Sequence, residues 1–158
     1  MFACGIGYDV HRFQAGRLLV LGGVTIDHPL GLEGHSDADV LCHAIADALL
    51  GAAGEADIGH FFPNTDESLR GMSSILMIRQ VRERLASSGD VILNVDATLV
   101  AEVPKIAPYL DAMKSKLAEA LALSRDRVGI KATTNEGMGF LGRGEGIAVL
   151  AVAAVERK

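Results

Sequence analysis

Long hydrophobic runs are missing from this sequence. No apolar stretch reaches the roughly 18 residues that a bilayer-spanning helix requires, so we expect a soluble protein with no membrane partner. The segment from Met1 to Phe13 carries Asp9 and has no basic region followed by an apolar stretch, and no transit peptide rich in Arg and Ser is visible. These absences predict a cytoplasmic protein.

Cysteine is also scarce. Cys4 and Cys42 are too few and too isolated for a disulfide framework, and the role of a small buried hydrophobe is predicted for each. Cys42 adjoins His43, a candidate metal ligand described below. On a helix its side chain would point about 100° away from that of His43, so we do not count Cys42 as a ligand.

A stripe of Lys and Arg is the third missing feature, and the formal net charge is −5. Both observations argue against nucleic acid or an anionic membrane as a partner. An acidic protein can still bind phosphates locally, through metal ions, backbone N–H groups or a few well-placed cations.

The composition is that of a folded domain. Hydrophobic residues make up 49% of the 158 residues and charged residues 22%, which excludes intrinsic disorder. No linker, internal repeat or low-complexity segment divides the chain. The length then predicts a single domain spanning residues 1–158, with enough residues for a hydrophobic core.

Apolar periodicity predicts an α+β fold. Ser36 followed by Asp39 resembles a capping box, with Asp in place of the usual Glu, at the start of the first helix. The turn-rich segment 59–71 has no periodicity and is predicted to be a mobile loop. In order, we predict a strand at 2–13, a hairpin at 17–26, helices at 37–52 and 72–88, a strand at 91–99, a helix from Pro104 to about Leu123, and strands at 127–133 and 147–155. This order predicts a mixed β-sheet with helices packed on one face.

The last predicted strand is apolar on both parities from Ile147 to Val155. Both of its faces are therefore predicted to be buried. With only three helices available, the second face is most simply covered by another subunit, although an ordinary central strand covered by its own helices would show the same pattern.

Asp9, His11 and His43 form a candidate metal site. Residues two apart in a strand point to the same face, so Asp9 and His11 can bind one ion while a helix supplies His43. Three protein ligands leave a position open, as in catalytic zinc sites. Asp39 and Asp47, four residues before and after His43, are candidates to hold its second ring nitrogen. Each fragment alone is common by chance, and a single helical His is more often capped or solvated than a ligand.

Three further segments carry polar chemistry. Segment 131–136 ends a strand with two hydroxyls and a carboxylate, and segment 101–105 joins a strand to a helix start, where N–H groups and Lys105 can hold an anion. The glycine-rich segment 139–146 precedes a strand and opens no helix, so it is not a dinucleotide fingerprint. Its glycines are expected to form turns with positive φ.

Six motifs occur in order over essentially the whole chain. They are Gly-Tyr8-Asp9-Val-His11, His35-Ser36-Asp37-Ala-Asp39-Val, Asp57-Ile58-Gly59, Phe62-Pro63-Asn64-Thr65-Asp66, Ala-Thr133-Thr134-Asn-Glu136 and Gly142-Arg143-Gly144-Glu145-Gly146. Taken together, they closely resemble the motifs of the 2-C-methyl-D-erythritol 2,4-cyclodiphosphate synthases of the non-mevalonate isoprenoid pathway. The one visible departure is Asn135, where relatives often carry Thr.

The resemblance implies the reaction and its metal ions. A substrate carrying cytidine diphosphate on methylerythritol 2-phosphate would be cyclised, with release of CMP. Asp9, His11 and His43 would hold zinc, and Glu136 would help to hold a second ion, Mg²⁺ or Mn²⁺, on the phosphates.

The resemblance also implies a division of labour among the remaining site residues. His35 and Thr134 would position phosphates and stabilise the transition state, and Asp57 and Gly59 would bind the methylerythritol hydroxyls. The full substrate-binding set is Asp9, His11, His35, Ser36, Asp57, Ile58, Gly59, Phe62, Pro63, Asn64, Thr65, Asp66, Ala101, Pro104, Lys105, Ile106, Ala107, Ala132, Thr133, Thr134, Glu136, Phe140 and Arg143.

A homotrimer with active sites between subunits is implied as well. The segment from Ala101 to Ala107, with Thr133, would bind cytosine and phosphates from an adjoining subunit. Phe140 and Arg143 would lie near the threefold axis, where an apolar isoprenoid ligand could bind.

Two rival functions share these residues. A zinc-dependent phosphohydrolase would use the same metals but deliver water, and a loop from Phe62 to about Gly71 that excludes water would favour the synthase. A trimeric binding protein with a structural metal would show no turnover. The open three-ligand site beside Thr134 and Glu136 argues against this second rival.

Overall fold

The computed structural model describes residues 1–158 as a sheet of five strands covered on one face by helices. The predicted α+β fold is confirmed. The strands are β1 (Phe2–Ala15), β2 (Leu19–Leu21), β3 (Val24–Ile26), β4 (Leu30–Leu32), β5 (Val91–Val100), β6 (Val128–Thr133) and β7 (Gly146–Glu156), and the helices are α1 (Val40–Ala52), α2 (Ile58–Phe61), α3 (Ser74–Ser87), α4 (Leu110–Leu121) and α5 (Gly139–Gly142).

The sheet has the strand order β4-β1-β7-β5-β6. β1 pairs antiparallel with β7 from Phe2 opposite Glu156 to Arg12 opposite Gly146. β7 is also antiparallel to β5, whereas β5 and β6 are parallel and are joined by a crossover that contains α4. The short strands β2 and β3 form a separate antiparallel hairpin, as the sequence predicts.

Helix α1 lies directly on β1 because two glycines leave room for it. A Cβ atom at Gly7 would come within 2.0 Å of the Ala44 carbonyl oxygen, and one at Gly5 within 2.1 Å of the Ala48 carbonyl oxygen. Only glycine therefore permits this helix-to-strand distance. Asp9 and His11 follow on the same face of β1 and so face the helix that carries His43.

Several element boundaries differ from the predicted ones. Helix α1 begins at Val40 with Asp39 as its N-cap, so the predicted capping residue Ser36 lies before the cap. The third long helix begins at Leu110 after a 3₁₀ turn at Ala107–Tyr109, and not at Pro104. Pro108 disfavours α-helical geometry at the residue before it, which is consistent with a regular helix that starts only after this proline.

Four short elements within and around the predicted loops were not predicted. The segment expected to be a loop contains α2 and a 3₁₀ turn at Glu67–Leu69. β4 pairs with the end of β1, and α5 forms within the glycine-rich segment, so the expectation that this segment opens no helix is wrong. All four elements have three or four residues, which is too short for apolar periodicity to be visible.

The second face of the sheet is exposed in the chain. Leu150 and Val152 are 45% and 48% exposed, and their partners Tyr8 and Ile6 lie on the same open face. Exposure of this face in the single chain contradicts the alternative of a central strand covered by its own helices, and burial of the face by another subunit stays a prediction. Cys4 also lies on the open face and is exposed, contrary to its predicted burial.

Cys42 is buried, as predicted. Burial raises the pKa of the Cys42 thiol, and the neighbouring Asp39 raises it further. A thiol in such surroundings stays protonated and unreactive.

None of the helices in the structure combines the length and the hydropathy that crossing a membrane would require.

Asp39 joins the N-terminus of α1 to the β2–β3 hairpin. Its fully buried carboxyl accepts hydrogen bonds from the backbone N–H groups of Cys42, Gly22 and Gly23. Burial raises the pKa of Asp39, while the three N–H groups oppose that rise by favouring the charged form. Removal of the carboxyl would leave three buried donors without partners.

We therefore expect Asp39→Ala to lower the free energy of unfolding by roughly 2–4 kcal/mol, from the lost cap and the unpaired donors. Urea denaturation of the metal-free protein measures this change. Asp126→Ala, at an exposed Asp, is the matched control and should change the stability by less than about 0.5 kcal/mol. Equal stability losses in the two variants would contradict this role of Asp39.

Candidate functional site

The structure brings Asp9, His11 and His43 together. Asp9 Oδ2 lies 2.9 Å from His11 Nε2 and 3.0 Å from His43 Nδ1, and the two ring nitrogens are 3.3 Å apart. These are the only three residues whose His, Cys or carboxylate atoms cluster as a metal site. The alternation of β1 and the position of α1 place them there.

These three donors fit a zinc ion. Tetrahedral zinc with bonds of about 2.0 Å has ligand atoms roughly 3.3 Å apart, close to the observed separations. Two imidazole nitrogens and one carboxylate oxygen are ligands that zinc accepts. The donor set leaves one coordination position for a substrate atom.

The second ring nitrogens of both histidines are also held. His11 Nδ1 contacts the carbonyl oxygen of Glu33, so it carries the proton and Nε2 offers its lone pair to the site. His43 Nε2 lies 3.2 Å from Ser36 Oγ and 3.0 Å from Ser74 Oγ.

The prediction that Asp39 or Asp47 holds His43 is wrong. Asp39 folds back over the start of α1, and Asp47 accepts a hydrogen bond from the backbone N–H of Ile58. Helical spacing identified residues whose sequence positions are near His43. It could not show that their carboxylates accept hydrogen bonds from backbone N–H groups instead of from the His43 ring. Ser74 was missed because it lies on another helix, 31 residues away in sequence.

In the metal-free chain, the contacts among the three residues favour a negatively charged Asp9 and a positively charged His11. Burial opposes the charge on Asp9, but hydrogen bonds from His11 and His43 outweigh it and hold the pKa of the Asp9 carboxyl well below its ordinary value. Burial also opposes the charge on His11, and the hydrogen bond to Asp9 outweighs it and raises the pKa of His11. A bound cation would replace the proton on His11.

A cavity of about 490 Å³ opens from this cluster. Its walls come from β1, from the segment before α1, from α2 and from the loop that follows α2. Among the predicted substrate-binding residues it is lined by Asp9, His11, His35, Ser36, Ile58, Gly59, Phe62, Pro63, Asn64 and Thr65. Asp57 and Asp66 do not line it: they accept hydrogen bonds from the backbone N–H groups of His60 and Ser68.

His35 lines this cavity and has an unusual ring nitrogen. Its Nε2 is buried and has no hydrogen-bond partner, and the nearest carboxylate oxygen, of Glu67, is 3.9 Å away. Buried polar atoms are nearly always paired, so an unpaired one in a cavity wall is suited to a ligand oxygen.

A second cavity of about 320 Å³ lies at the ends of β5 and β6. Of the predicted residues, it is lined by Ala101, Pro104, Lys105, Ile106, Ala107, Ala132, Thr133 and Thr134. It shares no lining residue with the cavity at Asp9. Glu136 lies just beyond β6, outside the Asp9, His11 and His43 cluster, with its carboxylate 3.4 Å from Thr134 Oγ1.

Glu102 was missed at the sequence level. Its carboxylate accepts hydrogen bonds from the backbone N–H groups of Asn135 (2.9 Å) and Gly137 (3.2 Å). Glu136 lies between them with φ of 51°, a left-handed conformation that needs such support in a residue other than Gly. Glu102 therefore holds the turn that carries Thr134 and Glu136.

Phe140 lines a third cavity, of about 590 Å³, between β1 and the segment before β7. Arg143 does not line it, and forms an ion pair with Glu145 at 2.6 Å. Within one chain most of the predicted residues thus line one of three cavities, whereas Asp57, Asp66, Glu136 and Arg143 line none of these three.

Residues 2–156 match the model of the YgbB family. Two relatives named 2-C-methyl-D-erythritol 2,4-cyclodiphosphate synthase, from Alkaliphilus metalliredigens and Akkermansia muciniphila, are 55% and 57% identical to this chain. Each alignment covers 96% of this chain, and 95% and 90% of the respective relatives. The chain belongs to the YgbB family of cyclodiphosphate synthases.

Solved structures of this family share the fold. A CDP-bound form of a 2C-methyl-D-erythritol-2,4-cyclodiphosphate synthase is 35% identical, with a TM-score of 0.88 over 97% of this chain and 99% of its own. The IspF–CDP complex of Plasmodium falciparum is 30% identical, with a TM-score of 0.87 over 99% and 97%. The bifunctional IspDF of Campylobacter jejuni has a TM-score of 0.96 at 40% identity, and this chain spans 43% of it.

The raised pKa of His11 predicts how divalent-metal binding depends on pH. Because a proton on Nε2 blocks coordination, the apparent zinc affinity should fall as the pH drops through the raised pKa, by about tenfold per pH unit below it. Chelator competition between about pH 8 and pH 6 measures this dependence. His60→Gln, at an exposed histidine that does not line the cavity, should leave the profile unchanged. A flat affinity over this range would contradict the assignment of His11 as a ligand.

Proposed function

We propose that this chain converts 4-diphosphocytidyl-2-C-methyl-D-erythritol 2-phosphate into 2-C-methyl-D-erythritol 2,4-cyclodiphosphate and CMP. The observation that carries the proposal is the three-ligand cluster of Asp9, His11 and His43 at the wall of a cavity, in a member of the cyclodiphosphate synthase family. The chain is thus a phosphorus–oxygen lyase in isoprenoid-precursor synthesis.

The bond changes explain why no protein nucleophile is required. An oxygen of the 2-phosphate forms a bond to the β-phosphorus, and the bond from that phosphorus to the bridging oxygen breaks, so that CMP leaves with the electron pair. Two anionic groups must approach each other in line, which makes charge neutralisation and positioning the main requirements.

The residues around the cavity at Asp9 would position the substrate and exclude water. The unpaired Nε2 of His35 can hold a phosphate oxygen, and Gly59, which lines the same cavity, would contact the hydroxyls of methylerythritol. The loop that contains Phe62 and Asn64 forms one wall and would exclude the water that would otherwise hydrolyse the diphosphate.

Metal ions complete the charge balance. Zinc on Asp9, His11 and His43 would polarise the β-phosphate, and Mg²⁺ or Mn²⁺, held with the help of Glu136, would neutralise the leaving phosphate. Thr134 and Lys105 would contact phosphate oxygens, and the segment from Ala101 to Ala107 would bind the cytosine base. CDP is bound in two of the structurally similar synthases.

We infer that the complete site forms between subunits of a homotrimer. The metal cavity and the cavity at Lys105 share no residue, and the open face of the sheet exposes apolar side chains that include Ile6, Leu150 and Val152. Such a patch is typical of a subunit interface. The cavity at Phe140 would then border the threefold axis and could bind an apolar isoprenoid. The cytoplasmic location and the single domain spanning residues 1–158 stay predictions.

Product analysis by phosphorus NMR tests the reaction. The protein, incubated with the cytidylyl substrate, Zn²⁺ and Mg²⁺, should yield CMP and a cyclic diphosphate, and His43→Ala should reduce the rate by at least about 10³-fold if the metal stabilises the developing charge. Inorganic phosphate or an uncyclised monophosphate as product would instead identify a phosphohydrolase. Stoichiometric binding of the substrate without turnover would identify a binding protein.

Complementation tests whether two subunits share a site. His43→Ala and Lys105→Ala proteins, each inactive alone, are unfolded, mixed and refolded together, and activity should reappear because some interfaces pair two intact halves. A mixture of His11→Ala with His43→Ala is the matched control and should stay inactive, since both changes damage the metal half. Mixed trimers seen by mass spectrometry that remain inactive would show that each chain holds a whole site.

A further inference from the structure

Ser74 connects a candidate metal ligand to a carboxylate that touches neither the ligand nor the cavity. Its side chain is fully buried, and Oγ lies 3.0 Å from His43 Nε2. The same hydroxyl is hydrogen-bonded to Asp37 Oδ1, and the Ser74 backbone N–H donates to Asp37 Oδ2 over 2.9 Å. Neither Ser74 nor Asp37 lines the cavity beside Asp9, so neither is placed to touch a substrate.

The direction of these hydrogen bonds follows from the groups involved. A carboxylate only accepts, so the single hydroxyl proton of Ser74 points to Asp37. The Ser74 oxygen can then only accept from His43, which places a proton on Nε2. A neutral imidazole with a proton on Nε2 offers its lone pair on Nδ1, the atom that faces Asp9 and His11.

The other contacts of His43 would not impose this arrangement. In the metal-free chain Asp9 Oδ2 lies 3.0 Å from Nδ1 and competes for the ring proton. Ser36 Oγ is 3.2 Å from Nε2, but it accepts from the Ala38 N–H and contacts no carboxylate that orients its own proton. Ser36 can therefore donate to Nε2 as readily as accept from it.

We propose that Ser74, oriented by Asp37, is a positioning residue that keeps the proton of His43 on Nε2 and so presents Nδ1 to the metal ion. The inference deepens the proposed function and rests on the proposed metal site. The loop before α3 would then both line the cavity and help to orient His43. Its end is hydrogen-bonded to the segment His35–Asp37 through Gly71, Met72 and Ser74.

Asp37→Asn should reverse the direction of the hydrogen bonds. Two fixed backbone donors face Asp37: the Ser74 N–H at 2.9 Å from Oδ2 and the Asp39 N–H at 3.3 Å from Oδ1. The shorter of these bonds places the amide oxygen of Asn opposite the Ser74 N–H, so the amide NH₂ faces the Ser74 hydroxyl. The hydroxyl would then accept from Asn and donate to His43 Nε2. That moves the ring proton to Nδ1, where it blocks coordination.

The experiment measures zinc affinity by chelator competition for the wild type, Ser74→Ala, Asp37→Asn and the double variant. We expect each single change to weaken zinc binding by roughly 10–100-fold, the usual effect of losing the partner of a metal-bound histidine. Because Asp37 acts through Ser74, adding Asp37→Asn to Ser74→Ala should change the affinity by no more than about twofold. Full additivity of the two changes would overturn the proposal.

Two matched controls separate this role from general effects. Ser73→Ala removes the neighbouring serine hydroxyl, which makes no capping hydrogen bond, and Asp27→Asn removes one charge from an exposed position. Both should bind zinc within about twofold of the wild type. The melting temperature of each metal-free variant shows whether any loss of affinity is only a loss of folding.

A second readout does not depend on affinity. In the zinc-loaded wild type the His43 Nε2–H proton should give a resolved low-field NMR signal that exchanges slowly with water, and Ser74→Ala should accelerate this exchange. An unchanged signal together with wild-type affinity would overturn the proposal. If His43→Ala binds zinc as tightly as the wild type, the assignment of the metal site is wrong. If His43→Ala loses zinc binding but Ser74→Ala and Asp37→Asn keep the wild-type affinity, the metal site stands and only the role of Ser74 is refuted.

Discussion

The close approach of α1 to β1 is the constraint on which the site depends. Gly5 and Gly7 let the helix backbone come so near that a methyl group at either position would collide with a helix carbonyl. Asp9 and His11 lie on the same face of β1 just beyond this contact, and His43 in the first turn of α1 points towards them. The metal ligands are thus positioned by backbone packing, and not by a flexible loop. Sites on rigid elements keep their geometry most accurately.

Buried polar groups then fix the orientation of the ligands within this frame. Asp39 ties the start of α1 to the β2–β3 hairpin, and the Glu33 carbonyl holds the ring of His11. Ser74 holds the ring of His43 from a third direction. In an interior of low dielectric constant the buried contacts of Asp39 and Ser74 are strong when complete and costly when broken. The ligands are therefore coupled to the stability of several separate segments.

The sequence predicts this architecture where the signal is local and periodic. Alternation along β1 placed Asp9 and His11 on one face, and helical spacing located α1 and α3 to within about three residues. Prediction failed where a choice depended on tertiary contacts. Asp39 and Asp47 are near His43 in sequence, but other donors claim their carboxylates, whereas Ser74 reaches His43 from a distant element. The three- and four-residue elements β4, α2 and α5 show no period at all.

The odd-numbered and even-numbered residues of β1 lie on opposite faces of the sheet and have different roles. This alternation links the metal site to assembly. Odd-numbered residues hold the glycine contact and the ligands, while even-numbered residues such as Ile6 and Tyr8 form the open apolar face with Leu150 and Val152. A register shift of one residue would exchange these faces and remove both the site and the surface. Because one face of β1 packs closely on α1 at Gly5 and Gly7, the register of the eleven pairs between β1 and β7 is strongly specified. The same pairing that builds the ligand geometry therefore also presents the surface through which, under the proposed function, a second subunit would complete the site.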